Sequence, residues 1–199
     1  RFETVELTSE GARIRAEAEI ESRERAYARG CAATMTVEMD GATVYEKTVD
    51  TLFNTGVNYV DFSFVLPEPR LWWPNGYGEQ PLYTVRVSAV NNYGRRDEKQ
   101  IVTGIRTVRL EQPAVGQDKR LYYFTVNGKK IYCKGMDFIQ TDIIYARAKD
   151  ELYDRILTAA RDAHFNMMRF WHGSVCYERD YAYELCDRYG ILVHQGFAF

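Results

Sequence analysis

Long apolar runs are missing from this sequence of 199 residues. No stretch of about 18 apolar residues occurs, which excludes a membrane-spanning helix. Histidine is scarce, three residues in all. The four cysteines, Cys31, Cys133, Cys176 and Cys186, stand far apart without the CxxC or finger-like spacing of a zinc site. Buried free thiols are the simpler expectation, and no metal site is expected. Charge of one sign is nowhere concentrated: the net charge is −2, with acidic and basic residues interspersed. That pattern carries neither a nucleic-acid nor a membrane-surface footprint. GxGxxG, P-loop and GxSxG motifs are all absent, so nothing points to dinucleotide, nucleotide or serine-hydrolase chemistry. The sequence starts at Arg1 without methionine or signal peptide and stops at Phe199 on an apolar run. Both ends are expected to continue into something longer.

What is present is enough for a sizeable core, with 46% hydrophobic and 14% aromatic residues, including 15 tyrosines. Residues 1 to 111 alternate apolar and polar with period two, as in ARIRAEAEIES, ATMTVEMDG, NYVDFSFVL and LYTVRVSAV. Asp40-Gly41 suits a hairpin turn because both residues tolerate positive φ. Seven or so short antiparallel strands in this length predict an immunoglobulin-like β-sandwich over 1–111.

After Gly116 the period changes. LYYFTVNGKKIYC (121–133) predicts a hairpin turning at Asn127-Gly128. DELYDRILTAARDAHF (150–165) has helical spacing, with Leu152, Ile156, Ala159, Ala160 and Ala163 as the expected apolar stripe. A strand at 166–171, a helix near 178–189 capped by Gly190, and a strand at 191–193 follow. This rhythm predicts a βαβαβ segment with a parallel sheet over 112–199. Three parallel strands leave faces and edges uncovered, so the segment reads as the opening part of a larger α/β domain.

Ligands of parallel sheets bind beyond the carboxyl ends of the strands. Three stretches qualify: Gly135 to Phe138 with Asp137, Trp171 to Ser174 with His172, and His194-Gln195-Gly196. Strand alternation places Met167, Arg169 and Trp171 on one face, opposite Met168 and Phe170. A guanidinium inside a barrel needs a carboxylate, and Asp137 is the nearest candidate. Arg169 either binds at a site or merely ties strand ends together. Trp171 either packs or forms a stacking platform for a sugar. His172 and His194 are candidate binding residues or plain surface histidines, and His164 is expected to meet the carbonyls ending the first helix. Glu178-Arg179-Asp180 reads as the charged first turn of the second helix. Retaining glycoside hydrolysis needs two carboxylates about 5 Å apart. The rim offers only Asp137, with Asp142 farther along its loop.

Several motifs together resemble the β-mannosidases of glycoside hydrolase family 2. LWWPNGYGEQPLY (71–83) is similar to the signature near the end of that family's immunoglobulin-like domain. TGIRTVRL (103–110) resembles its closing strand, and VNGKKIYCKGMDF (126–138) the start of its barrel. NMMRFWHGSVCYERDYAYELCDRYGILVHQGFAF (166–199) resembles its Asn-Met-x-Arg-x-Trp-Gly-Gly-Gly stretch and the sequel to it. The match runs in order over 71–199, whereas 1–70 match only as a sandwich. The resemblance implies a retaining exo-acting β-glycosidase with a (β/α)8 TIM barrel, of which 112–199 would be the incomplete N-terminal portion. Its partners would be an oligosaccharide or glycoside substrate, the remaining barrel and an N-terminal domain. It implies no cofactor and no metal.

The resemblance also implies that both catalytic glutamates lie beyond Phe199, so the catalytic residues are absent from this chain and it should be inactive alone. Carried over by position, the substrate-binding set is Arg169, Trp171, His172, Asp137, His194 and Gln195. Arg169 would support the nucleophilic glutamate, and Trp171 would line the subsite of the cleaved sugar. Departures cluster on this rim: Asp137 stands for Asn, His172-Gly173-Ser174 for Gly-Gly-Gly, His194 for Trp and Gly196 for Asp. His172 has the spacing from Arg169 of the Arg-x-Ser-His-Tyr-Pro motif of related β-galactosidases and β-glucuronidases. A specificity of that kind is one alternative. Others are a non-catalytic carbohydrate-binding sandwich using Trp72, Trp73 and Tyr77, which otherwise pack a seam, and a purely structural adaptor.

Overall fold

The computed structural model describes residues 1–23, 29–171 and 177–197. They fall into two compact units, Arg1–Arg70 with Leu82–Ile105, and Leu71–Pro81 with Arg106–Phe199.

The first unit is a β-sandwich. Its strands are β1 (Phe2–Thr8), β2 (Gly11–Ser22), β3 (Arg29–Met39), β4 (Ala42–Phe53), β5 (Gly56–Asp61), β6 (Phe64–Leu66), β7 (Tyr83–Asn91) and β8 (Arg96–Thr103). They pair antiparallel into one sheet of order β1-β2-β5, with β6 also on β2, and a second of order β4-β3-β7-β8. The period-two pattern is realised side chain by side chain. In β2, Ala12, Ile14 and Ala16 are buried while Arg13, Arg15 and Glu17 are exposed; in β3, Ala33, Met35 and Val37 are buried. Asp40 and Gly41 turn the β3–β4 hairpin at φ of 51° and 81°. Among the described residues this unit has eight strands; seven or so were expected over 1–111, and β6, with only three residues, is too short to show a period.

The second unit contains β9 (Val108–Glu111), β10 (Ala114–Gly116), β11 (Lys119–Arg120), β12 (Tyr123–Val126), β13 (Lys129–Ile131), β14 (Gly135–Phe138), α1 (Asp150–Asp162), β15 (Met167–Phe170), α2 (Asp180–Tyr189) and β16 (Leu192–Gln195). β12 and β13 form the expected hairpin, with Asn127 and Gly128 at φ of 50° and 77°. β14, β15 and β16 form a parallel sheet in that order, each pair of strands joined through a helix. Both helices share one core with this sheet: Tyr153, Leu157 and Ala160 of α1 and Ala182, Leu185 and Cys186 of α2 meet Phe138, Met168 and Phe170.

Three expectations are corrected. The buried stripe of α1 is Tyr153, Leu157 and Ala160, of which only Ala160 was expected; Ile156 packs against the core part-buried, Leu152 is intermediate, and Ala159 and Ala163 are exposed. Tyr153 reads as amphipathic in sequence, yet its ring is the apolar surface that packs. The boundary falls after Ile105 rather than at 111, because β9 pairs with β12 of the second unit. Residues 71–81 also belong to the second unit. Trp72 is fully buried there, its Nε1–H donating to the Asp187 carbonyl at 2.6 Å under the guanidinium of Arg106, 4.2 Å from the ring. Trp72 therefore packs, and no sugar platform is formed by it.

Parallel pairing brings backbones close where β14 starts. A Cβ on Gly135 would lie 1.6 Å from the Met167 carbonyl oxygen, a position no side chain can share. Gly135→Ala is expected to cost the second unit at least about 3 kcal/mol, the range of overpacked sites with no room to relax. Denaturant unfolding measures it, and a loss under about 1 kcal/mol would contradict the close approach.

Candidate functional site

The sheet register aligns one residue from each parallel strand into a row. Asp137 of β14 pairs with Arg169 of β15, and Arg169 with His194 of β16. Neighbouring strands lie about 4.8 Å apart, so the three side chains are adjacent on one face. All three are exposed, while Met168, Phe170 and Phe138 point the other way into the helix core. Arg169 has the expected carboxylate: its Nη1 donates to both oxygens of Asp137, at 2.9 and 3.2 Å. The row sits on the strands themselves and not in loops after them, since residues 135–138 and 192–195 hydrogen-bond as β14 and β16.

Trp171 extends the ladder by one step, its N–H donating to the Phe138 carbonyl at 2.8 Å. That places it beyond Arg169 in the strand direction, with 39% of its surface exposed. Toward the other end of the same face, Met167 and His194 border a hollow of about 620 Å3 that Tyr77, Tyr122 and Tyr132 also line. His172 lies outside the described residues, as do Gly173 and Ser174.

Gln195 is not brought to the row. Its register partner is Phe170, on the helix-facing side. There its Oε1 accepts from the Tyr183 hydroxyl at 2.6 Å and its Nε2 donates to the Gly196 carbonyl at 2.7 Å. His164 meets the end of α1 through its backbone: at φ 61° its N–H donates to the Arg161 carbonyl.

Two tyrosines that shape the rim, Tyr153 and Tyr183, went unrecognised in sequence, and Glu178 is not the helix-turn residue expected. Glu178 precedes α2, which begins at Asp180, and accepts hydrogen bonds from the hydroxyls of Tyr153 and Thr141. It thereby ties the connection before α2 to the loop after β14 and to α1. Burial, then the bond to Glu178, pushes the Tyr153 hydroxyl up to about 12. Burial, then the charge of Glu178, pushes Tyr183 up to about 12 as well. Tyrosines on the helices, with the acidic Glu178 just before the second one, were the available signal. Asp142 is held below the usual carboxylate range by the Ile144 N–H and then by Arg147.

A β-sandwich joined in sequence to a parallel βαβαβ unit, with a polar row across its strands, defines a sugar-hydrolase type of architecture once it is set beside known proteins. The model of "Glycosyl hydrolases family 2" matches residues 2–106, and the chain belongs to that family. Beta-mannosidase B of Emericella nidulans is 33% identical over 94% of this chain and 21% of its own length. Beta-mannosidase of Rattus norvegicus is 38% identical over 64% of this chain and 14% of its own. The crystal structure of the β-D-mannosidase from Dictyoglomus thermophilum superposes with a TM-score of 0.86 at 30% identity, covering 98% of this chain and 23% of that one. The chain thus spans 14% to 23% of the length of these relatives.

A raised tyrosine pKa is a stability statement. Burial favours the neutral phenol, so this contribution is fully present below about 10, the unfolded value, and is lost as pH rises through about 12. Alkaline titration of tyrosinate absorbance is expected to show a late component near 12 that shrinks in Tyr183→Phe. An unchanged titration curve in that variant would refute the assignment.

Proposed function

We propose that the full-length protein is a retaining, exo-acting β-glycosidase of the β-mannosidase type, and that this chain supplies its sandwich and the first three strands of a (β/α)8 barrel. The observation that carries the reading is the in-register row Asp137–Arg169–His194, with Trp171 beyond it, in a chain of this family. In such a barrel the row faces the interior below the substrate. Arg169 would there exchange its bond to Asp137 for one to the nucleophilic carboxylate, holding it ionised, and Trp171 would stack on the apolar face of the sugar. His194 and Asp137 would address sugar hydroxyls, and His172 would join them from the adjoining segment. Gln195 would act from behind, through the strand end.

Two carboxylates about 5 Å apart are required for retention. The carboxylates near the rim are each engaged otherwise: Asp137 by Arg169, Asp142 by Arg147, and Glu178 by Tyr153 and Thr141. The 199-residue chain alone is therefore expected to be inert. A β-galactosidase- or β-glucuronidase-like specificity is the second reading, favoured by the departure from the β-mannosidase pattern at His194 and His172.

The test is turnover of 4-nitrophenyl β-mannoside, β-galactoside and β-glucuronide by the full-length protein and by the 199-residue chain. Preference for the mannoside in the former and no turnover in the latter are expected. Arg169→Ala in the full-length protein should lower kcat/KM by at least about a hundredfold, the scale for losing a preorganised charge contact. Activity on none of the three sugars would overturn the reading, and preference for another would select the second one.

A further inference from the structure

The chains leaving β14 and β15 are joined twice beyond the paired strands. The first join is the last rung of the ladder, where the Trp171 N–H donates to the Phe138 carbonyl at 2.8 Å. The second is made by side chains. The Thr141 hydroxyl, a short step past Phe138, donates to Oε2 of Glu178 at 3.1 Å. The same oxygen accepts from the hydroxyl of Tyr153, whose ring is buried in the core that α1 shares with the sheet. One carboxylate oxygen can take two donors at once, and bonds to a charged acceptor are the stronger kind. Tyr153 therefore sets where Glu178 sits, and Glu178 sets where Thr141 sits.

Arg179 repeats the pattern one residue on. Its Nη1 donates to the Ala148 carbonyl at 3.1 Å and to the Asp150 carboxylate, where the loop from β14 enters α1. The loop of residues 139–149 is thus gripped near both ends by two consecutive residues of the connection to α2. Inside the loop, Asp142 accepts from the Ile144 N–H at 2.7 Å and from Arg147 at 3.0 Å. Trp171 stands at the first join, its backbone fixed on the near side by Phe138. The rotamer of a side chain follows its own φ and ψ. For Trp171, ψ is decided by the path the chain takes next, toward Glu178.

We propose that Glu178 is a positioning residue for Trp171. Held by Tyr153 and holding Thr141, it fixes the path of the chain beyond Trp171, and with it the angle at which the indole meets a sugar. The proposal rests on the reading of Trp171 as the sugar platform given above. Glu178 itself touches no substrate. A misaimed platform loses the sugar in the ground state and the transition state alike, so removing Glu178 raises KM and leaves kcat in place.

The experiment is a double-mutant cycle in the full-length protein, with KM and kcat measured on whichever of the three 4-nitrophenyl glycosides it turns over fastest. Trp171→Ala and Glu178→Ala are each expected to raise KM by at least about tenfold, with kcat kept within about threefold. Together they should raise KM no further than Trp171→Ala alone, within about threefold, because one acts through the other. Thr141→Val leaves the Tyr153–Glu178 bond in place and should raise KM in the same direction. Glu178→Gln keeps an oxygen that accepts from both hydroxyls and should hold KM within about threefold of the unaltered enzyme. A residue that only stabilised the fold would lower the melting temperature and leave the KM of the folded enzyme unchanged. That result, or a combined KM more than about threefold above that of Trp171→Ala, would overturn this proposal alone. An unchanged KM in Trp171→Ala, or no turnover of any of the three glycosides, would overturn it together with the reading it rests on.

Discussion

The candidate site depends on one buried amide at the opposite end of the strands. Asn166 is fully buried, and all four of its polar groups are used. Its side-chain oxygen accepts from the Lys134 N–H at 2.8 Å, and its side-chain nitrogen donates to the Tyr132 carbonyl at 3.0 Å. Its backbone N–H donates to the Lys134 carbonyl at 2.9 Å, and its carbonyl accepts from the Leu192 N–H at 2.8 Å. These bonds join the starts of β14, β15 and β16 at one point, so no strand can slip without stranding a buried polar group, at about 1–3 kcal/mol each. Three residues farther along, Lys134 has become Asp137 and Asn166 has become Arg169, with His194 two residues past Leu192. The row is aligned because its register is fixed there.

The same end of the unit explains the segment LWWPNGYGEQP. Helices in βαβ units run antiparallel to their strands, so their carboxyl ends gather where the strands begin. Asn75 donates from its side chain to the Arg161 and Phe165 carbonyls at the end of α1, and from its N–H to the Gly190 carbonyl after α2. Trp72 binds the Asp187 carbonyl, and Arg106 bridges Asp187 at 3.0 Å while lying over the indole. Burial raises the Asp187 carboxyl, and Arg106 offsets part of that. A motif that looks like an exposed aromatic patch in one dimension is thus a plug satisfying carbonyls that helix ends leave without partners.

What was legible in sequence follows from this division. Period-two strands, the Asp40-Gly41 and Asn127-Gly128 turns, and the alternation that turns Arg169 away from Met168 are local properties, and local chemistry decides them. The Arg169–Asp137 pair was also foreseeable, because a guanidinium on an apolar strand must find a carboxylate. The allegiance of 71–81 was not, since it is set by helix ends 80 or more positions away in the chain. Nor was the α1 stripe, where tyrosine's hydroxyl disguised an apolar ring bound to Glu178. The surroundings of Gln195 were not legible for a related reason: strand parity puts it beside Phe170, and only the position of Tyr183 shows what it meets there.

Among the described residues, the Asp137–Arg169 pair adds little to stability. Both partners of the Asp137 pair are about half exposed, at 47% and 52% of their side chains. Pairs so placed contribute about 0–1 kcal/mol, less than an apolar residue at the same position would gain from burial. The strand surrenders packing at Arg169, and the neighbouring strands do the same at Asp137 and His194. Meanwhile the opposite face of the same three strands is filled by Phe138, Met168 and Phe170. A weak, solvent-facing pair has one property that a buried one lacks: either partner can be exchanged for a better one at little cost. On the proposed reading, Arg169 would be a cation held in position but not consumed, and a carboxylate brought over this face would find it already oriented.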